Sequence, residues 1–268
     1  MFYNSIEQKG NNGIQGNPAH FFVVAVRRIG RFVVSASVYE VWEGLVDQHS
    51  KVKHNGFSQK LKSKTLTVKE WCDYLFDRME IFKALENRIS CSSLTSQPSR
   101  ILCTVPKRSQ LIADSLSLFT KQEDLLPTAS QNATAIIKRI EYATEEEIEW
   151  YAFVHYGELW FGGAVHAKWI ERLLKRNAAW HEAFFPDIDT KEMEQKKKFS
   201  QLHNTTATNK DKRLQTVTNW MRFGDYSSQI QLIEAYFSQL DTFVNAQPST
   251  ISSAIATCNE AMEGFIII

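Results

Sequence analysis

Glycine and proline are scarce in this chain of 268 residues, at 11 and 6. So few breakers argue against a fold of many short strands and favour long helices. The four cysteines, Cys72, Cys91, Cys103 and Cys258, include no CxxC pair. That excludes a zinc ribbon or a disulfide framework and suits free thiols in a reducing, intracellular compartment. No run of about 20 apolar residues is present, so no ordinary membrane span is expected. The nearest run, residues 21–34, is interrupted by Arg27, Arg28 and Arg31, which are costly to bury in lipid. Neither sign of charge is in excess: 31 basic residues face 30 acidic ones, a net charge of +1. That balance removes the electrostatic case for a general nucleic-acid binder.

What remains is a composition of 43% hydrophobic and 23% charged residues, which is that of a soluble globular protein. Residues 1–36 read as an N-terminal arm. From Gln8 to Tyr39 no acidic residue occurs; a targeting or interfacial segment and an arm packed on the domain both fit. Residues 37–268 form the domain proper, with a polar insertion at about 190–213, rich in Lys, Gln, Asn and Thr.

Three S/T-x-x-E patterns precede apolar periodic runs: Ser37 with Glu40, Thr67 with Glu70, and Thr144 with Glu147. Each predicts a capping box at a helix start. The 3.6-residue period predicts helices over about 38–53, 68–90, 107–121, 130–141, 145–177, 227–245 and 249–265. Residues 91–106 read as a connector. The fold class is all-α, a single-domain multi-helix bundle expected as a monomer.

Two features depart from routine bundle sequence. His49 lies on the apolar stripe of the first helix with Val38, Val41, Trp42, Leu45, Val46 and Val52. It reads either as a satisfied core histidine or as a metal or haem ligand. The second is the run YAFVHYGELWFGG over 151–163, with Gly157, Gly162 and Gly163 inside one helix. Each mid-helix glycine costs about 1 kcal/mol relative to alanine. Three so close imply a bend, or close approach of a ligand or another helix. The same helix carries a polar stripe, Glu147, Tyr151, His155, Glu158, Gly162 and His166, which reads as a solvated or partly solvated face.

Taken in order, these pieces resemble the heme oxygenases. His49, Phe57 and Trp71 match the family's axial-histidine helix and the start of the next without a gap. Ile81 to Glu86 looks like the family's Y-x-A-L-E segment. Val105 to Asp114 resembles its F-P-x-L-x-R…L-x-x-D-L stretch, and Ala152 to Gly163 its A-Y-V-R-Y-L-G-D-L-S-G-G. Asn259, Ala261 and Phe265 are similar to its last helix. The resemblance implies haem as both substrate and cofactor, held by His49 on its iron and flanked by Tyr156 and Gly157. Glu158, Gly162 and Gly163 would form the catalytic face. The implied reaction is O2-dependent cleavage to biliverdin, CO and iron, with electrons from an external reductase.

The chain also departs from the family's pattern. In an ungapped match Leu159 stands where the family has its distal carboxylate. Glu158 can take that role only if the helix absorbs one extra residue before Gly162, for instance as a bulge. Lys53 replaces the glutamate that orients the axial imidazole. His155 stands where the family has an arginine. Trp42, Val46, Ile233 and Phe237 stand where it has basic residues for the haem propionates. Two other readings therefore stay open: a non-catalytic haem- or tetrapyrrole-binding relative, and a metal-dependent oxidase on the same fold.

Overall fold

The computed structural model describes residues 36–91, 98–119, 127, 129–184, 212–223, 226–246 and 251–265. The arm up to residue 35 and residues 185–211, which hold most of the polar insertion, lie outside these. The described helices are α1 (Ala36–Gly44), α2 (Val46–Lys53), α3 (Gly56–Ser63), α4 (Val68–Cys91), α5 (Arg108–Ser117), α6 (Gln131–Tyr142), α7 (Glu145–Arg176), α8 (Ala178–Phe184), α9 (212–219), α10 (Tyr226–Ala246) and α11 (Ile251–Glu263). A 3₁₀ helix, Pro98–Thr104, occupies part of the expected connector. Among the described residues there is no strand, and no helix is long and apolar enough to cross a membrane.

The axis of the bundle is α7, 32 residues and about 48 Å long at 1.5 Å per residue. Its start is the predicted capping box. The Thr144 hydroxyl accepts from the Glu147 amide at 3.2 Å, and the Glu147 carboxylate accepts from the Thr144 amide at 2.7 Å. Three glutamates in its first turn and Lys175 and Arg176 in its last oppose the helix dipole. Thr67 and Glu70 form the same reciprocal pair before α4. The Ser37 box does not form: Ser37 is already inside α1, and its hydroxyl donates to Asn245 Oδ1 at 3.5 Å.

Around α7 pack α4, α8 and α11, while α5 and α6 cover α4 and α10 runs beside the 3₁₀ helix and α1. The expected face of α4 is largely interior: Trp71, Cys72, Leu75, Phe82, Leu85 and Ile89 are buried. Aromatic rings join the layers, with Trp71 touching the rings of Phe57, Tyr74, Trp180 and Trp220.

Several elements differ from the periodicity, the unexpected α3 and α8 among them; two of the differences have clear local reasons. The helix expected over 38–53 breaks at Leu45, whose amide bonds back to Trp42 in a tighter turn. Gly44 sits against α11 there, so close that a Cβ would lie 2.6 Å from Ile255 Cδ1. The break stops one stripe from running through both halves, and α2 buries no residue. The other difference is α9, which starts at the end of the predicted insertion; Val217, Trp220 and Met221 are buried at helical spacing.

Candidate functional site

His49 lies on α2, half-buried, its ring 5.7 Å from that of Trp42. Burial, and then the nearby Lys53 charge, lower its pKa from 6.5. The imidazole is therefore neutral at pH 7, the form that donates a lone pair to a metal. Lys53 gives it no acceptor.

The glycine helix needs no bulge. Residues 145–176 are continuous α-helix, which overturns the expected extra residue before Gly162. Leu159 is buried, 2% exposed, and Glu158 lies on a different face. Regular geometry puts Glu158 and Gly162 one above the other, four residues apart. The resembling family sets its carboxylate four residues before the second glycine of its pair. Here the carboxylate precedes the first, so the polar face of α7 is turned by one residue.

The three glycines are used differently. A Cβ on Gly157 would meet nothing within 4 Å, and one on Gly162 would meet only His166 Cε1 at 3.9 Å. A Cβ on Gly163 would lie 2.6 Å from the carbonyl oxygen of Met221. Gly163 is thus a close-approach glycine for the chain after α9, while Gly157 and Gly162 leave room.

The polar stripe of α7 is partly solvated, as its pattern suggests, and partly interior. Tyr151 and His155 are buried, and Glu158 and His166 are half-buried. Opposite them on α4 stands Arg78, fully buried between the rings of Phe82 and Phe265, at 4.9 and 4.2 Å. One guanidinium nitrogen is 3.0 Å from His155 Nδ1, and another is 3.0 Å from Glu158 Oε2. The hydroxyl of Tyr74 donates to Glu158 Oε1 at 3.4 Å, and His166 Nδ1 is 3.9 Å from the same oxygen. Because arginine can only donate, His155 Nδ1 accepts and its proton resides on Nε2, a buried atom without a protein acceptor. Burial, then Arg78, hold the His155 pKa well below 6.5. Burial also lowers that of His166, with Glu158 opposing and Arg78 adding to it.

Tyr156 belongs to a second network. It is buried, and its hydroxyl donates to Glu86 at 3.5 Å. The Glu86 carboxylate also caps α5, accepting from the amides of Arg108 and Ser109. Arg108 in turn donates to the carbonyls of Trp220 and Arg222, at 3.3 and 2.6 Å, and lies 3.8 Å over the Phe223 ring. These bonds dock the chain after α9 onto Gly163.

Sequence reasoning passed over Arg78 and Tyr74, although Arg78 shares the helical register of Trp71, Leu75 and Phe82 on the interior face of α4. Their four-residue spacing, matched by the polar stripe on α7, is the signal that could have found them. Among the described residues no group of three or more His, Cys, Asp and Glu could hold a metal ion. Glu158 and His166 face each other, but the Arg78 guanidinium already pairs with that carboxylate, which disfavours a divalent cation there. A hollow of about 480 Å³ opens between the turn at 65–67 and α8; none of the expected site residues lines it.

No family profile matches this chain, and no curated protein is similar to it in sequence. Solved structures are similar in architecture. A heme oxygenase from Leptospira interrogans superposes with a TM-score of 0.60 at 14% identity, over 87% of this chain and 99% of that one. Heme oxygenase-1 from the cyanobacterium Synechocystis sp. PCC6803, solved with heme, gives 0.47 at 14% identity, over 83% and 96%. Heme oxygenase-2 from Synechocystis sp. PCC 6803, solved with heme and NO, gives 0.45 at 12% identity, over 83% and 93%. The chain has a heme oxygenase-like all-α fold, carried by a divergent sequence.

Proposed function

We propose that this protein holds haem through His49 and cleaves it with O2 to biliverdin, CO and iron, as a monomer that takes electrons from an external reductase. One observation carries the reading: a carboxylate, Glu158, shares a face of α7 with Gly162, where a Cβ would meet only the edge of His166. The sequence resemblance supports it, since this helix and the His49 segment look like the two segments between which the family would hold haem. The residues suit the ligand. His49 is neutral and half-open, and Gly157 and Gly162 leave room where side chains would stand.

Bound haem would supply iron for O2 activation and its own ring as the carbon to be oxidised. The chain's residues do the rest. His49 offers its imidazole to the iron without deprotonation at neutral pH. Gly157 and Gly162 keep bulky side chains off the backbone that faces the ligand, whereas Gly163, expected on the same face, is taken up by the Met221 carbonyl. Glu158, tied to Arg78 and Tyr74, presents an oriented acceptor for ordered water. Phe57, Phe82 and Phe265 surround that group with apolar surface, which strengthens its charge interactions.

The binding-only reading has its own support. Leu159 is apolar and buried at the family's carboxylate position, and Lys53 gives His49 no orienting acceptor. The two part in one assay. Purified protein loaded with haem is given a reductant and O2. Growth of biliverdin absorbance, lost in Glu158→Gln, supports cleavage. A stable haem spectrum without biliverdin refutes cleavage and leaves a binding protein.

A further inference from the structure

The position before Tyr156 holds His155 where the resembling family has an arginine. The structure has a guanidinium at this point all the same, but it arrives from another helix. Arg78 of α4 is fully buried, donates a hydrogen bond to His155 Nδ1 and forms an ion pair with Glu158 at 3.0 Å. Its plane is held between Phe82 and Phe265, so it has little freedom to leave the carboxylate. We infer that Arg78 is the positioning residue of the site: it fixes Glu158 on the Gly162 face of α7, with His155 as a neutral spacer that keeps the guanidinium in line.

The geometry explains three features at once. An arginine is rarely fully buried unless paired, and Arg78 has the carboxylate of Glu158 as its partner. Glu158 lies on α7 between a buried cation and the Gly162 face, with Tyr74 closing its other oxygen. His155 must stay neutral to accept from a guanidinium, and its surroundings of Tyr151, Phe82 and Phe265 favour the neutral ring.

The inference rests on the haem-cleaving reading, but the ligand-free protein tests it separately. Arg78→Met keeps the bulk of the side chain and guards against collapse of the core; Arg78→Lys keeps charge but loses the fork. In the ligand-free protein the histidine ring spectra report the network. Arg78→Met should raise the titration of His166, and Glu158→Gln should lower it, by about one pH unit each way. Titration unchanged in both variants would overturn the inference. In the loaded protein Arg78→Met should slow biliverdin formation about 30-fold, with the Soret band of the His49 complex intact. Arg78→Lys should recover part of that loss, and Arg78→Met should cost nothing further once Glu158 is Gln. An equal loss in both backgrounds would mean that Arg78 only packs. Absence of biliverdin from the unaltered protein counts against cleavage alone, because the ligand-free titrations still decide the role of Arg78.

Discussion

Gly163 and Met221 are in such close contact that a Cβ on the glycine would lie 2.6 Å from the methionine carbonyl oxygen. That oxygen cannot easily move, because Arg108 binds the carbonyls on both sides of it, those of Trp220 and Arg222. Gly163→Ala should therefore lose about 2 kcal/mol of stability, despite the higher helix propensity of alanine. Gly157→Ala, with open space around it, should gain up to about 1 kcal/mol. Thermal denaturation of the ligand-free variants checks both; a stabilised Gly163→Ala would contradict the packing described.

Gly162 separates fold from function. Its Cβ would meet only His166 Cε1 at ordinary contact distance. Gly162→Ala should leave the ligand-free protein as stable or up to about 1 kcal/mol more so, yet weaken haem binding. A haem titration of this variant beside the original chain reads the effect. Unchanged affinity would argue that the open face of α7 is not the face that meets the ligand.

Removing Arg108 should release one segment without melting the bundle. Arg108→Met leaves the carbonyls of Trp220 and Arg222 without their donor, a loss of about 3 kcal/mol. The expected result is fast amide exchange confined to residues 212–223, with α7 still protected. Exchange that rises uniformly along the chain would show that Arg108 supports the whole core instead.

Glu149 makes stability fall with rising pH between about 4.5 and 7. It is fully buried, with Ser99 donating through its amide at 2.8 Å and its hydroxyl at 2.6 Å. Burial raises its pKa from 4.5 to about 7. The folded state thus binds the proton more tightly than the unfolded state, and stability falls as pH rises from about 4.5 through 7. The span is about 3 kcal/mol. Glu149→Gln should remove that slope and be the more stable form at pH 8. His49, His155 and His166 act with the opposite sign on the acid side. Their folded pKa values lie below 6.5, so their contribution is present above 6.5 and lost as pH falls. Denaturant titrations at pH 5, 6.5 and 8 check both signs.

The helices were legible where a cap and a periodic stripe agree, as at Thr144 and Thr67. They were not where tertiary contact decides. The Gly44–Ile255 approach breaks the first predicted helix, and Ser37 turns from cap to interhelical donor. Trp220 and Met221 gain their meaning only from Arg108 and Gly163, far away in sequence. At the site, His49 and the glycines stood out as types unusual for their positions, and Glu158 entered through the family resemblance and the polar stripe. Arg78 did not stand out, although it shares the register of Trp71, Leu75 and Phe82, because its carboxylate partner lies on another helix and nothing in α4 alone names it. The polar stripe of α7 was visible, but its burial depends on α4.

The central claim is that haem is held by His49. The most direct test is a titration of the purified protein with ferric haem, followed by its optical spectrum, beside His49→Ala. A saturable Soret band that is lost or shifted in the variant is the predicted result. A spectrum identical in both proteins, or no Soret change at all, would contradict it.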